Sequence, residues 1–261
     1  MSGRHPFPFE GRVAIVTGAA SGLGLAIARR LHADGCAVLA ADLNAAALGA
    51  MTLDDGGPGR LQIAVADIGR EAEARGLAPA CVAAFGQVDI LVNCAGIARL
   101  SGFVDQPLDD WNRILNVNLT GALVCAQAAA QAMIARGQGG RIINIASISG
   151  LQAGSGRVAY GTSKAALMQL TRQMALDLGP HGITANAVAP GPIDTPMVIA
   201  HHSADTRRSF TSRIPLGRYG LPDEVAGAVA FLAGDDAAYI SGHTLCVDGG
   251  FSSTGVVAGD L

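Results

Sequence analysis

The sequence predicts a doubly wound α/β fold, a seven-stranded parallel sheet with helices on both faces, built as a single domain. Three observations carry that reading. Short apolar or β-branched runs alternate with longer helix-like stretches, the order that builds strand-helix-strand units. The short runs are almost wholly apolar and lack the polar alternation of a sheet with one wet face, so helices must cover both sides. The first run also passes straight into a glycine-rich turn, "TGAASGLG", which opens a helical pattern.

In chain order, strands are expected at residues 13–17, 37–41, 61–66, 90–93, 142–146, 184–188 and 245–247. Helices are expected at 23–34, 70–85, 108–135, 158–178 and 223–232, and Pro222 sits where a helix start tolerates a missing N–H. The stretch 191–220, "GPIDTPMVIAHHSADTRRSFTSRIPLGRYG", follows a strand and mixes prolines, histidines, arginines and hydroxyls, which suits a substrate lid. The two long helices carry many small residues, "GALVCAQAAAQAM" among them, so they can approach neighbours closely within the chain or between subunits. No repeat or long polar linker divides the 261 residues, and one unit spanning 1–261 is expected.

Composition excludes several function classes. Half the residues are hydrophobic and the formal net charge is only -3, the balance of a compact protein and not of a nucleic-acid binder. The adjacent pairs Arg29-Arg30 and Arg207-Arg208 read as solvated helix faces. No apolar run reaches the roughly 18 residues of a membrane span. The first ten residues lack the apolar centre of a secretory signal, so a cytoplasmic location and no membrane partner are expected. Cys36, Cys81, Cys94, Cys125 and Cys246 are scattered singly and read as small buried thiols. Neighbouring His201 and His202 cannot share a helix face, and no metal site is expected.

The chemistry lies in two stretches. Gly18, Gly22 and Gly24 follow the first strand, where bare backbone lets a pyrophosphate approach the free N–H groups of a helix start. Asp42 ends the second strand, at a distance where a carboxylate can accept from an adenosine ribose and repel the 2'-phosphate of NADP. No arginine occupies Ala20, Ser21 or Leu43 to compensate, so NAD is expected ahead of NADP. Further on, Tyr160 and Lys164 lie one helical turn apart on one face of the fourth long helix. An ammonium there is expected to draw the phenol below its ordinary value of ~10. Lys164 is the only lysine, all other Lys and Arg positions being arginine, which marks a site needing a compact, three-donor cation.

These residues together resemble the short-chain dehydrogenase/reductase family, over about residues 9–251. Residues 17–24 are similar to its cofactor motif, Asn93-Cys94-Ala95-Gly96 to its N-N-A-G segment with cysteine for the second asparagine, and Pro190-Gly191 to the turn after its sixth strand. The resemblance implies a Rossmann-type fold and a catalytic group of Ser147, Tyr160, Lys164 and Asn118, the asparagine holding a water that relays protons to the lysine. Ser147 is chosen over Ser149 because the family places its serine thirteen positions before the tyrosine. Cofactor contacts are implied at Gly18, Ser21, Gly22, Leu23, Gly24, Asp42, Asp67, Asn93, Gly96, Tyr160, Lys164, Pro190, Gly191, Ile193 and Thr195. Asp67 could equally be a strand-end cap, and Asn118 a satisfied buried amide.

The expected function is NAD-dependent interconversion of a polyol or sugar-like secondary alcohol and a ketone, with Tyr160 as acid and base. The alternatives are an NADPH-dependent 3-oxoacyl thioester reductase and a catalytically silent cofactor-binding protein. Gln152, Arg157 and Arg99 are candidates to contact hydroxyls or an anion on the substrate. The family further implies a homotetramer built across the two long helices, and the tail after Phe251 is a separate candidate to order at a subunit contact.

Overall fold

The computed structural model describes residues 7–51 and 59–253. Residues 1–6, most of the expected tail (254–261) and the side chain of His201 lie outside the described part. The elements run β1 (Val13–Thr17), α1 (Gly22–Ala33), β2 (Ala37–Asp42), α2 (Ala45–Gly49), β3 (Leu61–Val65), α3 (Glu71–Phe85), β4 (Ile90–Asn93) and α4 (Leu108–Leu115). A π-helical turn (Asn116–Gly121) leads into α5 (Ala122–Arg136), β5 (Gly140–Ile145), α6 (Val158–Leu178), β6 (Ile183–Pro190), α7 (Pro196–His201), α8 (Ala204–Thr211), α9 (Pro222–Ala233) and β7 (Thr244–Val247).

The sheet has seven strands, all parallel, in the order β3-β2-β1-β4-β5-β6-β7. Its apolar strands are explained by β1. Ala14 and Val16 point into a core with Ile27 and Leu31 of α1 and Val225 and Val229 of α9. Val13 and Ile15 point the other way, into a core with Leu77 of α3, Met133 of α5 and Met174 of α6. Alternate residues thus meet helices on opposite faces, and neither face tolerates a polar alternation. Strand order reverses between β1 and β4, which opens a crevice at the carboxyl ends of these strands.

The expected strands all form, with ends displaced by a few residues. The helix expected at 108–135 forms as one continuous rod to Arg136, but its middle widens into the π-helical turn. Close contact explains the widening. A Cβ at Gly121 would stand 2.5 Å from the Ile68 carbonyl oxygen, so the rod presses its backbone against the loop after β3. This rod, Leu108–Arg136, is long and apolar enough to cross a membrane by length and composition, yet 56% of its apolar window is buried against the sheet and its neighbours, as in a core helix.

The region expected to be a lid contains α7 and α8 and is pinned at its base by pairing of Ile193 with Gly220. Each short helix starts at a hydroxyl cap: Thr195 accepts from the Val198 N–H, and Ser203 from the Thr206 N–H. Tyr219 and Phe251 are buried with Ile148 and Ile214, so the lid rests on the segment after β5.

Candidate active site

A cleft of about 1130 Å³ follows the carboxyl edge of the sheet, from Gly18 and Asp42 past Tyr160 to Phe210 and Phe251 under the lid. Its first end is made by the turn between β1 and α1. Gly18 and Gly22 have φ of 68° and 53°, the left-handed region that glycine occupies without strain. A Cβ on Gly24 would lie 2.0 Å from the Gly18 carbonyl oxygen, so only glycine lets α1 begin so close to the strand. Ser21, at the helix start, makes no side-chain cap, and the first turn of α1 holds no acid. Its N–H groups are left for a ligand at the positive end of the helix dipole.

Asp42 stands on this rim with both carboxylate oxygens fixed: Oδ2 accepts from the Ala20 N–H at 3.0 Å and Oδ1 from the Asn44 N–H at 2.9 Å. The carboxylate is therefore held at the mouth of the glycine turn, with exposed Leu43 beside it. Asp67 also lines the cleft, and its Oδ1 accepts from the Gly69 N–H at 2.8 Å, a strand-end cap that faces the same space. Leu23, Gly96, Pro190, Gly191, Ile193 and Thr195 complete the wall. Thr195 reaches across it: a Cβ on Gly22 would meet the Thr195 methyl at 3.6 Å. A glycine cradle, an uncapped helix start and a carboxylate at the second strand fit an adenine dinucleotide.

The other end holds the proton-transfer groups. Ser147 follows β5, and its Oγ accepts from the Ser149 N–H at 3.1 Å, which fixes the serine and makes Ser149 a loop partner. Tyr160 and Lys164 project from α6 into the cleft, with Lys164 Nζ 5.8 Å from the ring centre of Tyr160. Lys164 is 4% exposed and donates to the Ile145 carbonyl at 2.7 Å. Burial brings its ammonium down to about 8. The phenol behaves differently from the sequence expectation: burial raises Tyr160 above its ordinary range, and the Ser147 hydroxyl and the Arg157 cation only partly offset this. The expected lowering rested on the Lys164 charge one turn away; in the folded chain desolvation is the largest influence on the phenol, and the groups that lower it are Ser147 and Arg157.

Two residues expected at the cofactor and catalytic sites lie outside the cleft lining. Asn93 is buried and donates to the Ala122 carbonyl at 3.1 Å and to Asn144 Oδ1 at 2.9 Å, tying β4 to α5 and β5. Asn118 is 1% exposed; its Oδ1 accepts from the Ile97 N–H at 2.8 Å, and its Nδ2 donates to the Ile97 carbonyl and to Ser163 Oγ. Its amide is fully used and positions the loop that carries Gly96, where a Cβ would stand 3.4 Å from Lys164 Nζ. Asn118 lies within the π-helical turn and ties that turn to the loop. The thiol of Cys94 lies in the cleft and is pushed up to about 12 by burial, an inert neighbour of Lys164. The Cys94 and Ala95 N–H groups both donate to Thr17 Oγ1, a bond from β1 that sequence reasoning missed.

Of the substrate candidates, Gln152 and Arg157 line the cleft, and the Arg157 guanidinium stacks 5.5 Å from the Tyr160 ring centre. Arg99 pairs with Asp110 at 3.5 Å, outside the lining. Phe210 and Arg213 also face the cleft and were not singled out from the sequence, and His202, weighed there only as a metal ligand, faces it as well. A spacing of three before Tyr160 puts Arg157 on the tyrosine's helix face, the signal that could have ranked it higher.

Fold and site define a dinucleotide-binding oxidoreductase. Residues 18–252 match a family model described as Enoyl-(Acyl carrier protein) reductase. The (3R)-3-hydroxyacyl-CoA dehydrogenase of Mus musculus is 42% identical over 247 residues, covering 91% of this chain and 95% of that protein. The D-threitol dehydrogenase of Mycolicibacterium smegmatis is 38% identical over 249 residues, covering 94% and 95%. Among solved structures, a 7α-hydroxysteroid dehydrogenase complexed with NADH and 7-oxo glycochenodeoxycholic acid has a TM-score of 0.90 at 33% identity, covering 96% of this chain and 98% of that one. The chain belongs to the short-chain dehydrogenase/reductase family, oxidoreductases that act on hydroxyl and keto groups.

Proposed function

We propose that the chain is a cytoplasmic, NAD-dependent dehydrogenase that interconverts a polyol or sugar-like secondary alcohol and its ketone. The observation that carries the reading is the placement of the Tyr160 phenol in the cleft between the Ser147 hydroxyl and the buried Lys164 ammonium. A bound nicotinamide supplies the hydride acceptor and, when oxidised, a positive charge. The chain supplies the proton path and the orientation. Ser147 holds the substrate oxygen, Tyr160 takes the hydroxyl proton in oxidation and returns it in reduction, and Lys164 stabilises the phenolate.

Asp42 supports NAD, because a second anion beside its fixed carboxylate would be repelled. The threitol enzyme, itself a relative, supports a polyol. All five cysteines are free, which suits a reducing compartment. A homotetramer is part of the proposal: Phe103, Val104 and Leu108 are exposed around the start of α4, an apolar rim that a subunit contact would cover. Light scattering tests it, and a monomer at micromolar concentration refutes it. A second reading, NADPH-dependent reduction of 3-oxoacyl thioesters, has the hydroxyacyl-CoA relative in its favour and Asp42 against it.

The test is nicotinamide absorbance with the purified enzyme on panels of polyols, sugars and 3-hydroxyacyl thioesters, with NAD and NADP in parallel. NAD-linked turnover of polyols or sugars is the expected result. Turnover confined to thioesters with NADP(H) overturns the proposal in favour of the second reading.

A further inference from the structure

Resting on the alcohol-ketone chemistry above, we propose that the substrate is an anion, a hydroxy acid whose carboxylate is bound by Arg157 and Arg213 a few bonds from the reacting carbinol. The argument begins with the arginines of the lid and of the loop before α6. Arg207 pairs with Asp194 at 2.7 Å, Arg208 pairs with Asp205, and Arg218 pairs with Glu224 at 2.7 Å. Arg157 and Arg213 have no carboxylate partner and no side-chain hydrogen bond among the described residues, and both line the cleft.

Each of these two guanidinium groups lies on an aromatic ring. Arg157 is 5.5 Å from the centre of Tyr160, and Arg213 is 4.5 Å from that of Phe251. Stacking uses the flat face of a guanidinium and leaves its in-plane N–H donors unspent, the fork that matches a carboxylate. The neighbouring arginines are satisfied one by one, whereas these two, on the rings of Tyr160 and Phe251, line the same cleft. The carboxylates fixed by backbone N–H groups, Asp42 and Asp67, lie on the cofactor side of the cleft, and Asp205 on the substrate side is taken by Arg208. None of the carboxylates lining the cleft thus pairs with Arg157 or Arg213, and a third lining arginine without a carboxylate partner among the described residues, Arg113, stands on α4.

Position makes the group selective. Arg157 touches the ring that exchanges the proton, so an anion held there keeps its carbinol close to the phenol oxygen, whereas Arg213 reaches the cleft from the lid side. The backbone of Arg157 is independently anchored: it pairs with Ser101, and its N–H donates to the Gly154 carbonyl. Replacing the side chain therefore leaves the start of α6 in place.

The test compares matched pairs, 3-hydroxybutyrate with its methyl ester and gluconate with sorbitol, by NAD-linked turnover and by nicotinamide fluorescence of the NADH complex. The wild type is expected to favour each acid over its neutral partner by about ten- to a hundredfold in kcat/KM or in binding. Arg157→Gln should erase most of that ratio, chiefly through KM, Arg157→Lys should restore part of it, and Arg213→Gln should give a smaller loss. Circular dichroism and NADH affinity of the variants establish that the fold and the cofactor site survive. Equal handling of acids and neutral partners by the wild type, or an unchanged ratio in Arg157→Gln, overturns the proposal, as does failure of every acid to bind the NADH complex. Turnover of the neutral partners alone would sink the anion assignment and leave the alcohol chemistry standing; no NAD-linked turnover of any alcohol would sink the underlying reading.

Discussion

Replacing Lys164 by methionine measures the electrostatic cost of the site. Burial brings the Lys164 ammonium from 10.5 down to about 8, whereas the unfolded chain holds the same proton up to its ordinary value. Between these values the unfolded state binds more protons, so this residue's contribution to stability rises with pH across that window; below it the full penalty applies. At ~1.4 kcal/mol for each pH unit, the penalty is roughly 3 kcal/mol. Methionine keeps most of the length of the side chain without the charge, but the Ile145 carbonyl loses its donor, a cost of about 1 kcal/mol. The variant should therefore exceed the wild type by roughly 2 kcal/mol at neutral pH, and the gap should close by about pH 10. Urea unfolding of both proteins at several pH values reads the difference directly, and the burial of Tyr160 and the cysteines largely cancels between them. A gap that stays constant with pH, or a variant less stable at neutral pH, refutes the reasoning.

Tyr160→Phe should retain NADH binding by fluorescence while kcat falls by about 10² to 10⁴, because the ring stays and only the proton carrier is lost. Asp42→Ala should weaken NAD and raise the NADP to NAD ratio of kcat/KM at least about tenfold; an unchanged ratio would remove the carboxylate from cofactor choice. Gly24→Ala places a methyl 2.0 Å from the Gly18 carbonyl oxygen, so calorimetry should show a loss of about 1–3 kcal/mol, together with loss of NAD binding. Gly76→Ala is the contrast, since that exposed position in α3 has open space around it and alanine should add about 0.5–1 kcal/mol.

The parallel sheet was legible because its signal is local and repeated: β1 and its neighbours are apolar at consecutive positions, which only a doubly covered strand requires. The glycine turn and the Tyr160-Lys164 spacing were legible because their chemistry depends on residues adjacent along the chain or one helical turn apart. What escaped depends on contacts between distant segments. The π-helical turn arises where Gly121 meets the Ile68 carbonyl and Asn118 grips Ile97, pairings that no periodicity within 108–136 reveals. The helices α7 and α8 escaped for a different reason. Thr195-Pro196 and Ser203 are ordinary start signals, but the short segments after them lack the length that helical periodicity needs to declare itself.

The use of one lysine among so many arginines has a sharper explanation in the structure than in the sequence. The Lys164 pocket is small: Nζ is held by the Ile145 carbonyl, and a Cβ on Gly96 would already stand 3.4 Å from it. A guanidinium would exceed that space, and it also stays charged at every pH a folded protein survives. An ammonium buried to this degree loses its proton near pH 8, within reach of the proton that Tyr160 must give up or regain. The same burial that raises the phenol lowers the lysine, so their order in water, lysine slightly above tyrosine, is reversed, and in the fold the ammonium is the group that releases its proton first. A group in that order can hand its proton on toward the phenolate, which holds it more firmly. Lysine at 164 is then required for its ability to titrate as well as for its charge, and a permanently charged arginine would meet only the second requirement.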